Sequence, residues 1–312
     1  MIEAHELSKR YGDKTVVDSL SFSVKPGEVT GFLGPNGAGK STTMRMIVGL
    51  DAPTKGSVTV NGRPYVQHPA PLHEIGTLLD AKSVHPGRSA FHHLMALAQT
   101  HGISRRRVEA VIELAGLTSV AGKRVGAFSL GMGQRLGIAA ALLGDPDIIM
   151  LDEPVNGLDP EGVLWVRNLL RALADEGRAV MLSSHLMSEM ALIADHLVII
   201  GRGQLLADTS LDDFTRQAGG GGVKIITGEA RKLRTLLAAQ DVTISSSSAE
   251  ELVVNGREAR EIGAIAAAHG IPLYELTPQS ASLEVAFMEL TRDAVEYQSA
   301  SADNVRPIRK AA

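Results

Sequence analysis

Two stretches of this sequence have the residue types and spacing of a phosphate-transfer site. The first is Gly34-Pro35-Asn36-Gly37-Ala38-Gly39-Lys40-Ser41, followed by Thr42. It has the form G-x-x-x-x-G-K-[ST], in which glycines let the backbone curl until its N–H groups converge on phosphate oxygens. Lys40 is then placed to reach the β- and γ-phosphates, and the Ser41 hydroxyl to sit on Mg²⁺. The competing reading is a chance match in a glycine-rich chain. Context argues against it: the apolar stretch Glu28–Leu33 precedes the loop, and a helical pattern through Met44, Met46 and Ile47 follows it. Strand, glycine-rich turn and helix N-terminus together make an anion cradle, which implies a bound nucleoside triphosphate.

The second stretch is Asp147-Ile148-Ile149-Met150-Leu151-Asp152-Glu153-Pro154. Its four apolar residues predict a buried parallel strand with two carboxylates at the C-terminal end, where open α/β sheets place their ligands. Successive strand residues point to opposite sides, so Asp152 and Glu153 cannot share one role. One suits Mg²⁺; the other suits an attacking water, to orient or deprotonate it. His185, after Leu182-Ser183-Ser184, ends another apolar strand on the same edge. It reads either as a γ-phosphate contact or as an ordinary structural histidine. Tyr11 reads either as a base-stacking aromatic or as the cover of a sheet edge. The histidines at 85, 92, 93 and 101 have no i, i+4 pair, and surface or interface roles suit them better than a metal.

The elements that must position these residues follow from the patterning. Alternation over 2–8 and 15–24 predicts antiparallel strands, and Gly56–Val60 a further strand. Leu72–Leu79 leads into a loop. Residues 89–101, 104–115 and 130–143 read as a helical insert, the last helix capped by Ser129. A helix over 161–175, a strand over 178–183, a helix over 186–194 and a strand over 197–201 follow. Gln217–Gly222 is a flexible joint. Beyond it, strands at 223–227, 241–246, 251–254 and 271–276 alternate with helices at 229–239 and 257–269, and a helix covers 282–290. That β-α-β-β-α-β order suggests a ferredoxin-like layer, followed by a disordered tail over 293–312.

The 312 residues, 44% hydrophobic and 21% charged, can bury one large domain or two modest ones. A net charge of −4 offers no field for nucleic acid. The absence of cysteine excludes disulfides and thiolate metal sites. The N-terminus lacks the basic start and apolar core of a signal peptide. No run approaches the ~20 apolar residues of a membrane span. The expectation is a soluble chain that reaches a membrane only through another protein.

Together these residues resemble the ATP-binding subunits of ABC transporters, in particular those paired with ABC-2-type exporter permeases that carry drug and multidrug efflux. The resemblance covers residues 2 to about 216, with the motifs in family order. Tyr11 matches the base-stacking aromatic, Gly34–Thr42 the Walker A loop and Ile148–Asp152 the Walker B strand. Glu153 matches the catalytic glutamate, Asn156-Gly157-Leu158-Asp159 the D-loop, and His185 the switch histidine. Ser129-Leu130-Gly131-Met132-Gly133-Gln134-Arg135 corresponds to the signature usually written LSGGQ. It departs from that pattern in having Leu130 where glycine is usual and Met132 where glutamine is usual. Asp80 stands where the Q-loop glutamine is expected; it can approach Mg²⁺ but cannot donate an amide hydrogen bond.

The resemblance implies an α/β fold with a P-loop NTPase core over 1–216. That core has a mixed sheet with flanking helices, an antiparallel β edge and a helical subdomain at about 85–143. A linker over 217–222 and a small C-terminal α+β domain over 223–292 complete the expected organisation. It further implies ATP and Mg²⁺ as ligands, with Lys40 on phosphate charge, Ser41 and Asp152 on Mg²⁺, and Asp80 as a further metal contact. Glu153 would act on the water and His185 on the γ-phosphate. The expected assembly is a head-to-tail homodimer in which Gly34–Thr42 of one subunit and Ser129, Leu130, Gly131 and Met132 of the other enclose each ATP. Leu79–Leu94 is the candidate permease-docking segment, on the cytoplasmic side of the cell membrane. The alternative is a soluble ATPase switch without a membrane partner.

Overall fold

The structure, a computed structural model, describes residues 1–80, 84–184, 187–217, 222–239, 242–246, 248–278 and 283–292. The chain forms two compact units, one of Met1–His185, Val198–Asp208 and Thr291–Ala312, the other of Leu186–Leu197 and Thr209–Leu290.

In the first unit, β1 (Ile2–Tyr11) and β2 (Lys14–Val24) form an antiparallel hairpin. β4 (Lys55–Val60) adds to the other side of β1, giving the order β2-β1-β4. The alternating pattern holds, because Ile2, Ala4, Leu7, Val17, Leu20, Phe22 and Val24 all point inward and are buried. A second sheet has the order β5-β6-β7-β3-β8-β9 among the described residues. Its strands are β3 (Val29–Leu33), β5 (Ile75–Leu78), β6 (Ile148–Asp152), β7 (Ala179–Ser184), β8 (His196–Gly201) and β9 (Gln204–Ser210). β5, β6, β7 and β3 run parallel, so their C-terminal ends share one edge. β3 and β7 are buried at every position, as expected of parallel strands covered on both faces.

The helix after the glycine-rich loop, α1 (Lys40–Ile47), lies between the two sheets. Its Met44, Met46 and Ile47 share one core with Leu7, Leu20 and Phe22 on one side and with Ile148, Met150 and Met181 on the other. A helix gripped from two sides needs apolar residues around much of its circumference. Among them, α1 has only Arg45 and Ser41 turned away from the core.

The helical insert is present as expected. After the short α2 (Pro71–Glu74), α3 (Ala90–Thr100), α4 (Arg105–Leu114) and α5 (Leu130–Ala141) pack together through Leu94, Val108, Ile112 and Leu136. Ser89, Ser104 and Ser129 cap them, each side chain accepting a backbone N–H of the first turn. α5 lies directly on β5, and the closeness depends on glycine: a Cβ at Gly76 would collide with the Ala141 carbonyl, and one at Gly137 with Leu78. α6 (Pro160–Asp175) packs on β3 and β7.

The second unit contains α7 (Met187–Ile193) and α8 (Leu211–Gln217), then a four-stranded antiparallel sheet. That sheet is built from β10 (Val223–Ile226), β11 (Thr243–Ser245), β12 (Glu251–Asn255) and β13 (Glu275–Pro278), in the order β11-β12-β10-β13. α9 (Ala230–Leu237) and α10 (Ala259–Ala268) pack on one another and cover it, burying Ile225, Leu252, Val254, Leu233 and Ile262. This is the ferredoxin-like arrangement that the element order suggests. The element α11 (Leu283–Thr291) follows.

Two local details differ from the sequence reading. β9 and α8 extend the chain beyond the strand at 197–201, because Arg202 and Gly203 both take positive φ (49° and 81°) and close a tight two-residue hairpin. The strand expected at 271–276 begins at Glu275. Pro272 has no N–H to give to a ladder, and the chain first reaches β10 at Tyr274, whose N–H donates to the Ile226 carbonyl at 2.8 Å. The segment 72–79, for which the sequence reading assigns neither helix nor strand, opens as a helical turn and becomes strand at Ile75.

Filling the α5–β5 contact should be costly. Gly76→Ala is expected to destabilise by roughly 1–3 kcal/mol through overpacking, read as a lower thermal midpoint. A wild-type midpoint would show that α5 has room to move off the sheet.

Candidate nucleotide site

The glycine-rich loop is shaped by backbone geometry that only glycine adopts freely. Gly37 and Gly39 have φ of 83° and 104°. Gly39 is also crowded, since a Cβ there would stand 2.8 Å from the Val16 carbonyl oxygen. The loop is pinned from outside: Gly203 N–H donates to the Ala38 carbonyl (3.0 Å), and Asp18 N–H to that of Gly203 (2.8 Å). Gly39 is the N-cap of α1 with no side-chain cap, so the first-turn N–H groups face the loop's interior without a competing carboxylate or hydroxyl.

Lys40 is 8% exposed. Its ammonium donates to the Gly34 carbonyl at 2.5 Å and to that of Pro35 at 3.3 Å. Burial lowers its pKa, and the Glu153 and Asp152 carboxylates act in the opposite direction. An ammonium held by two carbonyls beside two carboxylates is poised for an anion, because phosphate oxygens are stronger, charge-assisted acceptors.

The two residues expected to share Mg²⁺ are in contact across 111 positions of sequence. Ser41 Oγ donates to Asp152 Oδ2 at 2.7 Å. A hydroxyl and a carboxylate are the hard oxygen donors that Mg²⁺ takes alongside phosphates and water. Among the described residues no group of three or more His, Cys, Asp and Glu side chains could hold a metal. A cation here would therefore complete its shell from the nucleotide and solvent. Asp80 is exposed, two residues beyond Leu78, which pairs with Leu151 one residue before Asp152. It thus stands on the same sheet edge. A cleft of about 290 Å³ joins Lys40, Ser41, Asp152 and Glu153, lined also by Val16 and the rest of residues 36–42 but not by Asp80.

Tyr11 ends β1 and is 46% exposed. Its hydroxyl donates to Asp51 at 3.0 Å, Arg45 pairs with the same carboxylate oxygen at 2.7 Å, and the Lys9 ammonium sits 4.8 Å from the ring centroid. The ring is thus fixed in place at the free end of the hairpin. The signature residues gather elsewhere. Ser129 caps α5 by accepting from Met132 N–H at 3.2 Å, and Leu130 is exposed. Gly131 and Leu130 lie against Gly157 and Leu158, so the first turn of α5 rests on the D-loop. Asp159 caps α6, accepting from Gly162 N–H at 2.9 Å. The structure therefore brings Lys40, Ser41, Asp152 and Glu153 into one cleft, with the signature and D-loop as a second cluster. His185 lies outside the described residues.

Two residues at this site escaped sequence reasoning. Ser183, fully buried, donates its hydroxyl proton to Asp152 Oδ1 and accepts from Glu153 N–H at 3.0 Å. Gln134 Nε2 donates to the Glu153 carbonyl at 2.9 Å. The signal for Ser183 is the strand register, because it pairs with Asp152 across β6 and β7.

Comparison with known proteins places the chain. The family model for ABC transporters matches residues 17–156. YhcH of Bacillus subtilis (strain 168), an uncharacterized ABC transporter ATP-binding protein, is 35% identical over 304 residues, covering 95% of this chain and 97% of its own length. The chain belongs to the ABC transporter ATP-binding proteins. As a member of that family it is an ATPase coupled to transport. This ATP-binding protein is also 40% identical over 220 residues to the bacitracin transport ATP-binding protein BcrA of Bacillus licheniformis, with 70% of this chain and 72% of that one covered. It is 34% identical over 310 residues to the linearmycin resistance ATP-binding protein LnrL of Bacillus subtilis (strain 168), covering 93% and 98%. Among solved structures, an ATP-binding subunit of an ABC transporter superposes with a TM-score of 0.65 at 29% identity, over 70% of this chain and 93% of that one. The dimeric ATP-binding cassette MJ0796 bound to ADP and Pi shares the fold, with a TM-score of 0.62 at 23% identity over 68% and 99%. Residues 221–284 match a domain of unknown function (DUF8746).

Lys40→Ala is expected to weaken ATP binding by about ten- to a hundredfold, the worth of a hydrogen bond to a charged group. Equilibrium titration with a fluorescent ATP analogue reads it; unchanged affinity would remove Lys40 from the site.

Proposed function

We propose that this chain is the energising subunit of an exporter whose membrane part is an ABC-2-type permease, and that it works as a head-to-tail homodimer closing on two ATP. The observation that carries the reading is the Ser41–Asp152 contact inside the cleft, with Glu153 immediately beyond it. The names of BcrA and LnrL, bacitracin transport and linearmycin resistance, support export as the direction. The dimeric state of MJ0796 supports a two-subunit assembly.

In this reading Lys40 and the N–H groups of residues 37–42 hold the β- and γ-phosphates. Ser41 and Asp152 would hold Mg²⁺, with Asp80 on the same sheet edge; the ion would supply charge neutralisation to the nucleotide's phosphates. Glu153 orients the attacking water and accepts its proton, since its carboxylate lines the same cleft and is spared the metal. His185 contacts the γ-phosphate and Tyr11 stacks on the base. Ser129, Leu130, Gly131 and Met132 complete the ATP site of the second subunit. The exposure of Ser129 and Leu130 at the end of α5 suits that task, because a first turn buried within its own subunit could not serve another. Asp159 holds the D-loop as the cap of α6. ATP acts as the adhesive between subunits, and hydrolysis releases them.

The permease would dock on Leu79–Leu94. A hollow of about 320 Å³ bordered by Val84, Pro86, Val125, Phe128 and Leu130 supports this, offering an apolar seat beside the signature. No helix among the described residues is long and apolar enough to cross a membrane. Attachment to the cytoplasmic face therefore falls to the permease. The domain reading keeps the cassette over 1–216 and the small α+β domain over 223–292, to which no chemistry is assigned.

Glu153→Gln is expected to bind ATP and Mg²⁺ normally, to lose nearly all turnover, and to elute as a dimer on ATP. Size-exclusion chromatography and phosphate release read both effects. Normal turnover with a monomeric elution would contradict the assignment.

A further inference from the structure

Glu153 has φ of 49°, a left-handed backbone that a glutamate rarely adopts. Such a conformation persists only where its surroundings enforce it. Here both polar groups of the Glu153 backbone are taken by side chains from two different elements. Its N–H donates to Ser183 Oγ at 3.0 Å, and its carbonyl accepts from Gln134 Nε2 at 2.9 Å and, within its own turn, from Asn156 N–H at 3.2 Å.

The two holders belong to different elements. Ser183 sits on β7, fully buried, and is paired with Asp152 in the parallel register. Its own proton goes to Asp152 Oδ1, leaving Oδ2 to Ser41. One hydroxyl therefore fixes the face that the metal-side carboxylate presents and the start of the Glu153 turn. Gln134 comes from α5, five residues after the Ser129 cap, and is 5% exposed. Its Oε1 is buried with no hydrogen-bond partner among the described residues. An amide buried with half its capacity unmet is unfavourable compared with an apolar residue of the same shape. Packing of α5 alone gives no reason for it.

We propose that Gln134 and Ser183 are positioning residues that clamp the backbone of Glu153, and that the Gln134 arm makes the clamp depend on where α5 sits. A shift of α5 relative to the sheet pulls on the Glu153 carbonyl, while Ser183 holds the N–H end to β7. The carboxylate at the tip of Glu153 then moves with the signature helix of its own subunit. This inference rests on the reading of Glu153 as the residue that acts on water.

The test uses the full-length chain and compares wild type with Gln134→Met, Gln134→Glu, Ser183→Ala, Ser183→Thr, Glu153→Gln and the double variant Gln134→Met/Glu153→Gln. Steady-state and single-turnover ATP hydrolysis, ATP affinity, Mg²⁺ dependence and thermal midpoint are measured. Gln134→Met is expected to lower kcat about ten- to a hundredfold, as misplacement of a catalytic group does, with ATP affinity and thermal midpoint close to wild type; Gln134→Glu, which buries a carboxylate that cannot donate, should lower kcat similarly and the midpoint as well. Ser183→Ala should lower kcat and also raise the Mg²⁺ concentration for half-maximal activity; Ser183→Thr, which keeps the hydroxyl, should restore both. The double variant should hydrolyse ATP no more slowly than Glu153→Gln alone, because the clamp then has nothing left to position.

Wild-type kcat in both Gln134 variants would overturn the proposal. So would a lowered thermal midpoint with unchanged kcat, or a multiplicative loss in the double variant. If the Gln134 variants fail to fold, failure of Ser183→Thr to recover the activity lost in Ser183→Ala overturns it instead. Full turnover in Glu153→Gln would contradict the reading of Glu153 itself. An inactive Glu153→Gln beside fully active Gln134 variants would defeat the clamp alone.

Discussion

The hydrogen bond from Ser41 to Asp152 joins two elements that the chain forms far apart: the first turn of α1 and the last residue of β6. For a hydroxyl on a helix to meet a carboxylate on a strand end, α1 must be fixed in both rotation and height. Burial on two sides supplies that. Leu7, Leu20 and Phe22 grip it from the antiparallel sheet, and Ile148, Met150 and Met181 from the parallel one. Turning α1 by one residue would swing Ser41 away from Asp152 by about 100° and expose methionines now buried. The apolar core and the placement of the phosphate loop are thus the same constraint.

A second constraint fixes the signature end. α5 approaches β5 closely because Gly76 gives room to the Ala141 carbonyl and Gly137 to the Leu78 side chain. Arg135 holds it laterally, with its guanidinium 4.6 Å from the Trp165 ring centroid on α6 and donating to the Ala115 carbonyl after α4. The first turn of α5 therefore keeps a defined position against the D-loop while Gln134, on the same helix, reaches the Glu153 backbone. The face that would meet another subunit and the loop that carries Glu153 are linked through one helix.

Much of this was legible in the sequence because it is local. The glycine-rich loop, the apolar run ending in Asp152 and Glu153, and the serines at 89, 104 and 129 each signal their structure within a few residues. The β-α-β-β-α-β order after residue 222 was readable for the same reason. What stayed hidden depends on register between distant segments. Ser183 reads as one polar residue at a strand end until β7 is paired with β6, and Gln134 as part of the signature stretch with no contact of its own until α5 is laid on the sheet. The ties of Tyr11 to Asp51 and Lys9 likewise come from the hairpin end folding back on the segment after α1. The β8–β9 hairpin was missed because Arg202 carries its positive φ where Asn or Asp is the usual signal.

The central claim is that the cleft drives a membrane partner. Its most direct test is affinity purification of the tagged, full-length chain from detergent-solubilised native membranes, with the co-purifying proteins identified by mass spectrometry. The account predicts a stoichiometric polytopic partner with about six apolar spans, whose recovery is reduced by Val84→Asp in the hollow beside the signature. Recovery from the soluble fraction alone, with no polytopic partner, would contradict it and leave a free ATPase switch.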